Sequence, residues 1–438
     1  MFFQFPKHSF PRDFLRIYDN LKKKGILGEY STRFNFPDEP QFFQYVCERS
    51  PQAVKVRKGF GYGCSDMESE AFASAVAEAI EHYCILFERD ELFIKDSYRN
   101  LKNVAINPIR FVPFSKEQLK KPSFKKFKIS ENTIINWLEG YSLTNKRKVL
   151  VPASLVYANY NASVRKEPTI QLGISTGAAC GSSLGFAQYR GICEIIERDA
   201  YMISFLNKIP KKVVDIDNDQ YLSDFKRRIE RYSLEVYVLN TQLDLSITTT
   251  TCVILDRTGS GPAVCVGLGG SSDPKKAIQT SVFEAVRRHI SSRDRFFRSK
   301  PLPMPRKNSF DWFSLQKQIL WSAPHMLSKA EEFIKNGKIF YKDLDNTKTM
   351  LSYENKVKYL VDELTSKSCE VICIDITLPE VEEQGLKVVK ILIPELVPLW
   401  KDERYPYLGI DRLYSVPRKM GYEIKPIYQE NAFSLHPF

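Results

Sequence analysis

Three stretches of the chain combine carboxylates and cations at helical spacing. In the first, Ser74, Glu78 and Glu81 stand at i, i+4 and i+7, one face at 3.6 residues per turn. Their neighbours Ala75, Val76, Ala77, Ala79 and Ile80 are apolar, so an acidic stripe lies on a helix that otherwise reads as buried. The second stretch sets Glu194 and Glu197 among Ile192, Ile195, Ile196 and Ala200, with Arg190 and Arg198 flanking. The third carries Gln279, Glu284, Arg287 and His289. Buried carboxylates are costly unless cations compensate them. Several that converge with few bases would hold a hard divalent ion, and Mg2+ held this way usually carries phosphates. The chemistry on offer is an ATP–Mg2+ site. Glu78, Glu81, Glu194, Glu197 and Glu284 are the candidate metal ligands. Arg198 and Arg287 would serve the phosphates. Any one stripe alone reads rather as a salt-bridge network on a partly exposed helix; three alike argue for a site.

Each stripe follows a run rich in Gly or Ser: Gly59 to Ser65, Gly173 to Ser183, and Gly267 to Pro274. Each run reads as a loop that opens a helix, with the first Glu at nearly the same depth, as if one device were used three times. Such entries supply free backbone N–H groups and a positive dipole end, both suited to anions. Around them lie strand-like runs at Lys148–Pro152, Glu235–Leu239, Ile247–Leu255, Val371–Asp375 and Lys387–Ile393. They alternate with helical stretches, which implies a mixed α/β architecture. Residues 379–385 read as a loop, and 300–365 as charged and helical. No dinucleotide fingerprint, G-x-x-x-x-G-K-[ST] loop or kinase signature occurs, so a nucleotide site here must be of a less usual kind.

With 438 residues, 43% of them hydrophobic, the chain can build two ordinary domains or one large one. No apolar run reaches the roughly 18 residues that span a bilayer, and Met1 to Lys7 does not read as a secretory signal. A cytoplasmic protein without a membrane partner is expected. Nine cysteines without a C-x-x-C pair, and five dispersed histidines, suggest reduced thiols rather than disulfides or zinc. The net charge of +12 and the cluster from Lys120 to Lys128, basic with Phe124 and Phe127 interleaved, raise nucleic acid as a ligand. The remaining charge is spread along the whole chain, so the cluster reads as a solvated segment and no nucleic-acid partner is expected.

At these residues the sequence resembles the YcaO family of ATP-dependent enzymes that modify peptide backbones. Ser74, Glu78 and Glu81 match its S-x-x-x-E-x-x-E-R helix, with His82 where Arg is usual. Ser175 to Gly181 and Cys193 to Ala200 match its S-T-G-x-A-x-G and C-E-x-I-E-R-D-A blocks. Gln279 and Glu284 fit the third block, where Arg287 and His289 depart from it. Asp375-Ile376-Thr377, Ile393 to Leu399, and Leu408-Gly409 also look like family segments. The resemblance implies the YcaO fold, α/β with mixed sheets and helices, and an ATP site between the Gly-rich helix entries, with Ser74, Glu78, Glu81, Arg198, Gln279, Glu284 and Arg287 as the candidate nucleotide contacts. It implies an N-terminal segment over 1–55, a catalytic domain over 56–438, and a short tail, 429–438, that reaches the active site. In azoline-forming members a Cys, Ser or Thr side chain attacks the preceding amide. Phosphorylation then turns the amide oxygen into a leaving group, and a thiazoline or oxazoline forms. Those members often end in a proline-rich tail, which Leu435-His436-Pro437-Phe438 resembles. His436 and Phe438 are therefore the catalytic candidates, His436 as a proton shuttle near neutral pH.

The expected function is a cyclodehydratase acting on a ribosomally synthesised precursor peptide, with an E1-like partner for leader recognition. A thioamide synthase of the same family and a non-catalytic nucleotide-binding adaptor are the alternatives. The oligomeric state is open, a homodimer among the options.

Overall fold

In the computed structural model, which describes residues 12–50, 59–298, 314–334 and 337–424, three sheets and three long helices frame one cleft. Strands β1 (Leu27–Thr32), β2 (Phe43–Arg49) and β3 (Gly59–Ser65) form an antiparallel sheet in that order. It packs on helix α1 (Glu68–Leu86) through a cluster of Tyr18, Tyr30, Tyr45 and Phe72 rings. The sheet runs across the expected division at residues 55 and 56.

Strands β4 (Ile94–Ser97), β5 (Ile134–Ser142), β6 (Arg147–Pro152) and β7 (Ala178–Gly181) follow, and α2 (Leu184–Leu206) leaves β7 directly. Strands β8 (Lys212–Asp215), β9 (Leu234–Asn240), β10 (Thr248–Asp256), β11 (Val264–Ser271) and β12 (Lys338–Phe340) build a five-stranded sheet ordered β11-β10-β9-β8-β12. Its central strands are buried at every position of β10 and β11, because both faces are covered. Cys252, Ile254 and Cys265 meet Ile278, Val282 and Ala285 of helix α3 (Pro274–Arg298) on one side. Leu239, Val253, Val264 and Val266 meet the end of α2 and the helices Ser314–Trp321 and Leu327–Ile334 on the other. Finally β13 (Ile372–Asp375) and β14 (Lys387–Leu392) return to complete the sheet β4-β5-β13-β14-β7, with β6 on β5.

The strand-like runs read from sequence all fall in strands of these sheets. Two readings change. Residues 379–385 contain a single helical turn, Pro379–Glu382, before Gly385 at φ +74°. Lys338–Phe340, within the stretch read as helical, pairs parallel with β8. The nine cysteines are free thiols, and most are buried. In the basic cluster, Phe124 and Phe127 point into a core of Phe114, Tyr405 and Tyr407. The aromatics between the lysines thus serve the fold and are not left for stacking on bases. No helix among the described residues is long and apolar enough to cross a membrane.

Candidate active site

The Gly-rich runs are not helix-entry loops throughout. Gly59–Ser65 is strand β3 and Val264–Ser271 is β11. What their glycines provide is close approach. A Cβ at Gly61 would overlap the Ala75 carbonyl, and one at Gly63 the Ala71 carbonyl; Gly267 and Gly269 stand in the same way against Ser281 and Ala277. Each strand therefore lies directly on the helix that follows it, and each first glutamate reaches back to it. Glu78 Oε2 accepts from Tyr62 N at 2.7 Å, and Glu284 Oε2 from Leu268 N at 2.7 Å. In the middle block Glu194 Oε2 accepts from Gly177 N at 2.8 Å. Gly177 has φ +85°, and a side chain there would strike the Ile391 carbonyl, so only glycine suits that turn. Ser183 caps α2 by accepting from Phe186 N.

These three helices surround a cavity of about 530 Å³. All nine candidate cofactor and metal residues line it: Ser74, Glu78 and Glu81 from α1, Glu194, Glu197 and Arg198 from α2, and Gln279, Glu284 and Arg287 from α3. Arg190 lines it as well. His436 and Phe438 lie outside the described residues, as does the tail 429–438.

The cavity's charges are strongly coupled. Arg198 lies 3.1 Å from Glu197 and 3.4 Å from Glu194. Arg288 donates to Glu284 Oε1 at 2.9 Å, with Arg287 at 3.8 Å. Burial would raise Glu284, but Arg288, Arg198 and Arg287 outweigh it and hold the carboxyl down to about 2. Burial pushes Glu197 up to about 7 against the pull of Arg198, with Glu284 and Glu194 adding repulsion. Glu81 is pushed well above the ordinary carboxylate range by burial and by the charges of Glu194 and Glu78. A divalent cation beside Glu81 and Glu197 would favour the charged forms that burial holds back. Among the described residues no three His, Cys, Asp or Glu side chains form a ready-made metal cage. That suits Mg2+, which ordinarily takes one or two carboxylates and completes its shell with phosphate and water.

The sequence reading missed Lys390. Its Nζ donates to the carbonyls of Ile174 at 2.9 Å and Thr176 at 2.7 Å, tying down the loop whose Gly177 holds Glu194. Burial brings this ammonium down to about 8, opposed by Glu194 and Glu81. The signal was a lysine inside the apolar run Val388-Val389-Lys390-Ile391-Leu392, a charge that an apolar core strand keeps only for a purpose. Gln279, by contrast, donates to Tyr221 Oη at 2.6 Å, and Tyr221 donates to Asp66. That chain fixes Gln279 at the cavity rim.

A family model described as YcaO cyclodehydratase, ATP- and Mg2+-binding, matches residues 61–397. The chain belongs to the YcaO family. An uncharacterised protein of Methanothermobacter thermautotrophicus is 26% identical over 60% of this chain and 65% of its own length. A protein encoded in the tfuA 3′ region of Rhizobium leguminosarum bv. trifolii is 28% identical over 37% of this chain and 41% of its own. This YcaO chain therefore spans less than two thirds of the length of the curated relatives it matches. Among solved structures, a heterocyclase in complex with substrate and cofactor superposes with a TM-score of 0.77 at 22% identity, over 95% of this chain and 56% of that one. YcaO from Methanopyrus kandleri, bound with AMPPCP and Mg2+, superposes with a TM-score of 0.65 at 18% identity, over 88% and 90%. The E. coli microcin synthetase McbBCD complex gives 0.59 at 11% identity, over 84% and 88%. The fold is that of the YcaO heterocyclases, and the cofactors of the family are ATP and Mg2+.

Proposed function

We propose that this YcaO chain is an ATP-dependent cyclodehydratase that forms thiazoline or oxazoline rings on a ribosomally made precursor peptide in the cytoplasm. The observation that carries the reading is the single cavity into which α1, α2 and α3 place glutamates and arginines together. ATP with Mg2+ would supply the phosphoryl group that makes an amide oxygen a leaving group. The chain's own part is to hold and neutralise charge. Arg198 and Arg287 would bind phosphate oxygens, Ser74 and Gln279 would contact the nucleotide, and glutamates among Glu78, Glu81, Glu194, Glu197 and Glu284 would face the metal. Positioning and electrostatics of this kind suffice for phosphoryl transfer. His436 at the tail is the proposed proton shuttle, with Phe438 beside it. An E1-like partner that captures the leader peptide is proposed as well.

Calorimetric binding of ATP with and without Mg2+, on wild type and Glu197→Gln, tests the site. Mg2+-dependent binding that the variant loses is the expected result; equal binding by both would remove Glu197 from it. Mass spectrometry of a partner-presented precursor tests the reaction. Cyclodehydration removes about 18 Da per ring, whereas amide-to-thioamide exchange after the same activation adds about 16 Da.

A further inference from the structure

A second cavity lies on the far side of α2, between that helix, the five-stranded sheet and the helix Leu327–Ile334. Its walls are apolar, with Val253, Val266 and Trp321 among them, and Phe205 stacks on Phe333 at 4.9 Å and 13°. Against this background three polar side chains stand out. Lys211 lines the cavity at 5% exposure and makes no ion pair or hydrogen bond among the described residues. Ser204 and Thr251, each 4% exposed, line it too, and their hydroxyls make no hydrogen bond among the described residues. A buried ammonium without a counter-charge is among the costliest features a fold can carry. Two idle hydroxyls beside it compound the cost.

We propose that this cavity binds a small organic carboxylate with an apolar tail, its carboxylate on Lys211, Ser204 and Thr251 and its tail against Phe205 and Phe333. The ammonium selects an anion, the hydroxyls supply two further donors, and the hydrocarbon walls exclude strongly hydrated inorganic anions. The open room is about 40 Å³, on the order of three waters, which suits a short acid rather than a nucleotide. Burial brings Lys211 down to about 7, so the empty site loses its charge as pH rises past neutrality. The site is separate from the ATP cavity, and the inference does not depend on the proposed reaction.

Propionate is the probe, with 1-propanol as its neutral counterpart, titrated calorimetrically into the full-length protein at pH 6 and pH 8.5. Expected is propionate binding at least about tenfold tighter than propanol at pH 6, a preference that shrinks at pH 8.5. Lys211→Met should weaken propionate binding at least about tenfold while Mg2+–ATP binding stays unchanged, which reports an intact fold. Absence of propionate binding at pH 6, or equal binding by wild type and Lys211→Met, would overturn the proposal. Should Lys211→Met fail to fold, the acid-versus-alcohol comparison on wild type decides alone, and no preference for the acid rejects the site.

Discussion

Glu78 and Glu284 occupy equivalent places in a repeated strand–helix unit: each accepts a 2.7 Å hydrogen bond from the backbone N–H sixteen residues before it. The second carboxylate oxygen of each is left for a cation. Beside Glu284 stands Arg288, four residues on; beside Glu78 stands His82, also four residues on, at 4.0 Å. In this repeated unit His82 thus stands where α3 carries Arg288.

Replacing either glutamate by glutamine separates structure from chemistry. The amide oxygen can still accept from Tyr62 or Leu268, so Glu78→Gln and Glu284→Gln should both fold. Neither retains the negative charge. Precursor-dependent ATP turnover should fall at least about a hundredfold, the usual scale for losing one preorganised charge in a water-poor site. Glu284→Gln should also lower thermal stability more than Glu78→Gln, because it leaves the buried Arg288 and Arg198 short of a counter-ion. Turnover and melting temperature of the two variants, compared side by side, check both statements.

The glycines of β3 and β11 carry a second expectation. Gly61→Ala and Gly267→Ala each push a methyl group into a helix carbonyl, and backbone cannot step aside as a flexible side chain can. Each should cost about 1–3 kcal/mol, the range for overpacking a tight core. Each should also lengthen the strand-to-glutamate bond beside it. Urea unfolding gives the energy, and a parallel loss of Mg2+–ATP affinity would show that the packing serves the site.

Much of this site was legible because helices announce themselves locally. Ser74, Glu78 and Glu81 share a face by spacing alone, and the apolar residues between them require burial. The strands were not legible in the same way. Gly59 to Ser65 and the glycines after Val264 have low intrinsic strand propensity, so both runs read as loops. Their extended state comes from the helix lying on them, a contact that propensity does not record. Lys390 was hidden for a related reason. Its partners are two carbonyls more than two hundred residues upstream, and no local pattern joins them.

Asp199, in the middle block, serves the fold rather than the cavity. It accepts from Val397 N at 2.8 Å and from Arg412 at 2.7 Å, and Arg412 also reaches Asp244 at 2.8 Å. These bonds join α2 to the segment after β14 and to the helix Arg412–Lys419. Asp199→Ala removes the buried carboxylate partner of Arg412 and should cost about 3–5 kcal/mol. Asp244→Ala, at the more open end of the same arginine, should cost less. Denaturant midpoints for the two variants give the order directly, and a reversed order would place the anchor at Asp244.

His289, one of the departures from the family's third block, sets a pH limit. Its ring is 4% exposed, and neither nitrogen makes a hydrogen bond among the described residues. Burial lowers it to about 4; the Asp256 carboxylate opposes this, and Arg293 and Arg33 reinforce it. In the unfolded chain a histidine titrates near 6.5. Between about pH 6.5 and pH 4 the unfolded state therefore binds the extra proton and the folded state does not, so stability falls as pH falls across that window. The loss should total on the order of 3 kcal/mol, at 1.36 kcal/mol per unit of difference. His289→Leu removes the titrating ring while filling most of its volume. Wild type minus variant, measured by urea unfolding at half-unit steps from pH 7 to pH 4, should decline steadily; a flat difference would mean that the ring takes its proton without unfolding.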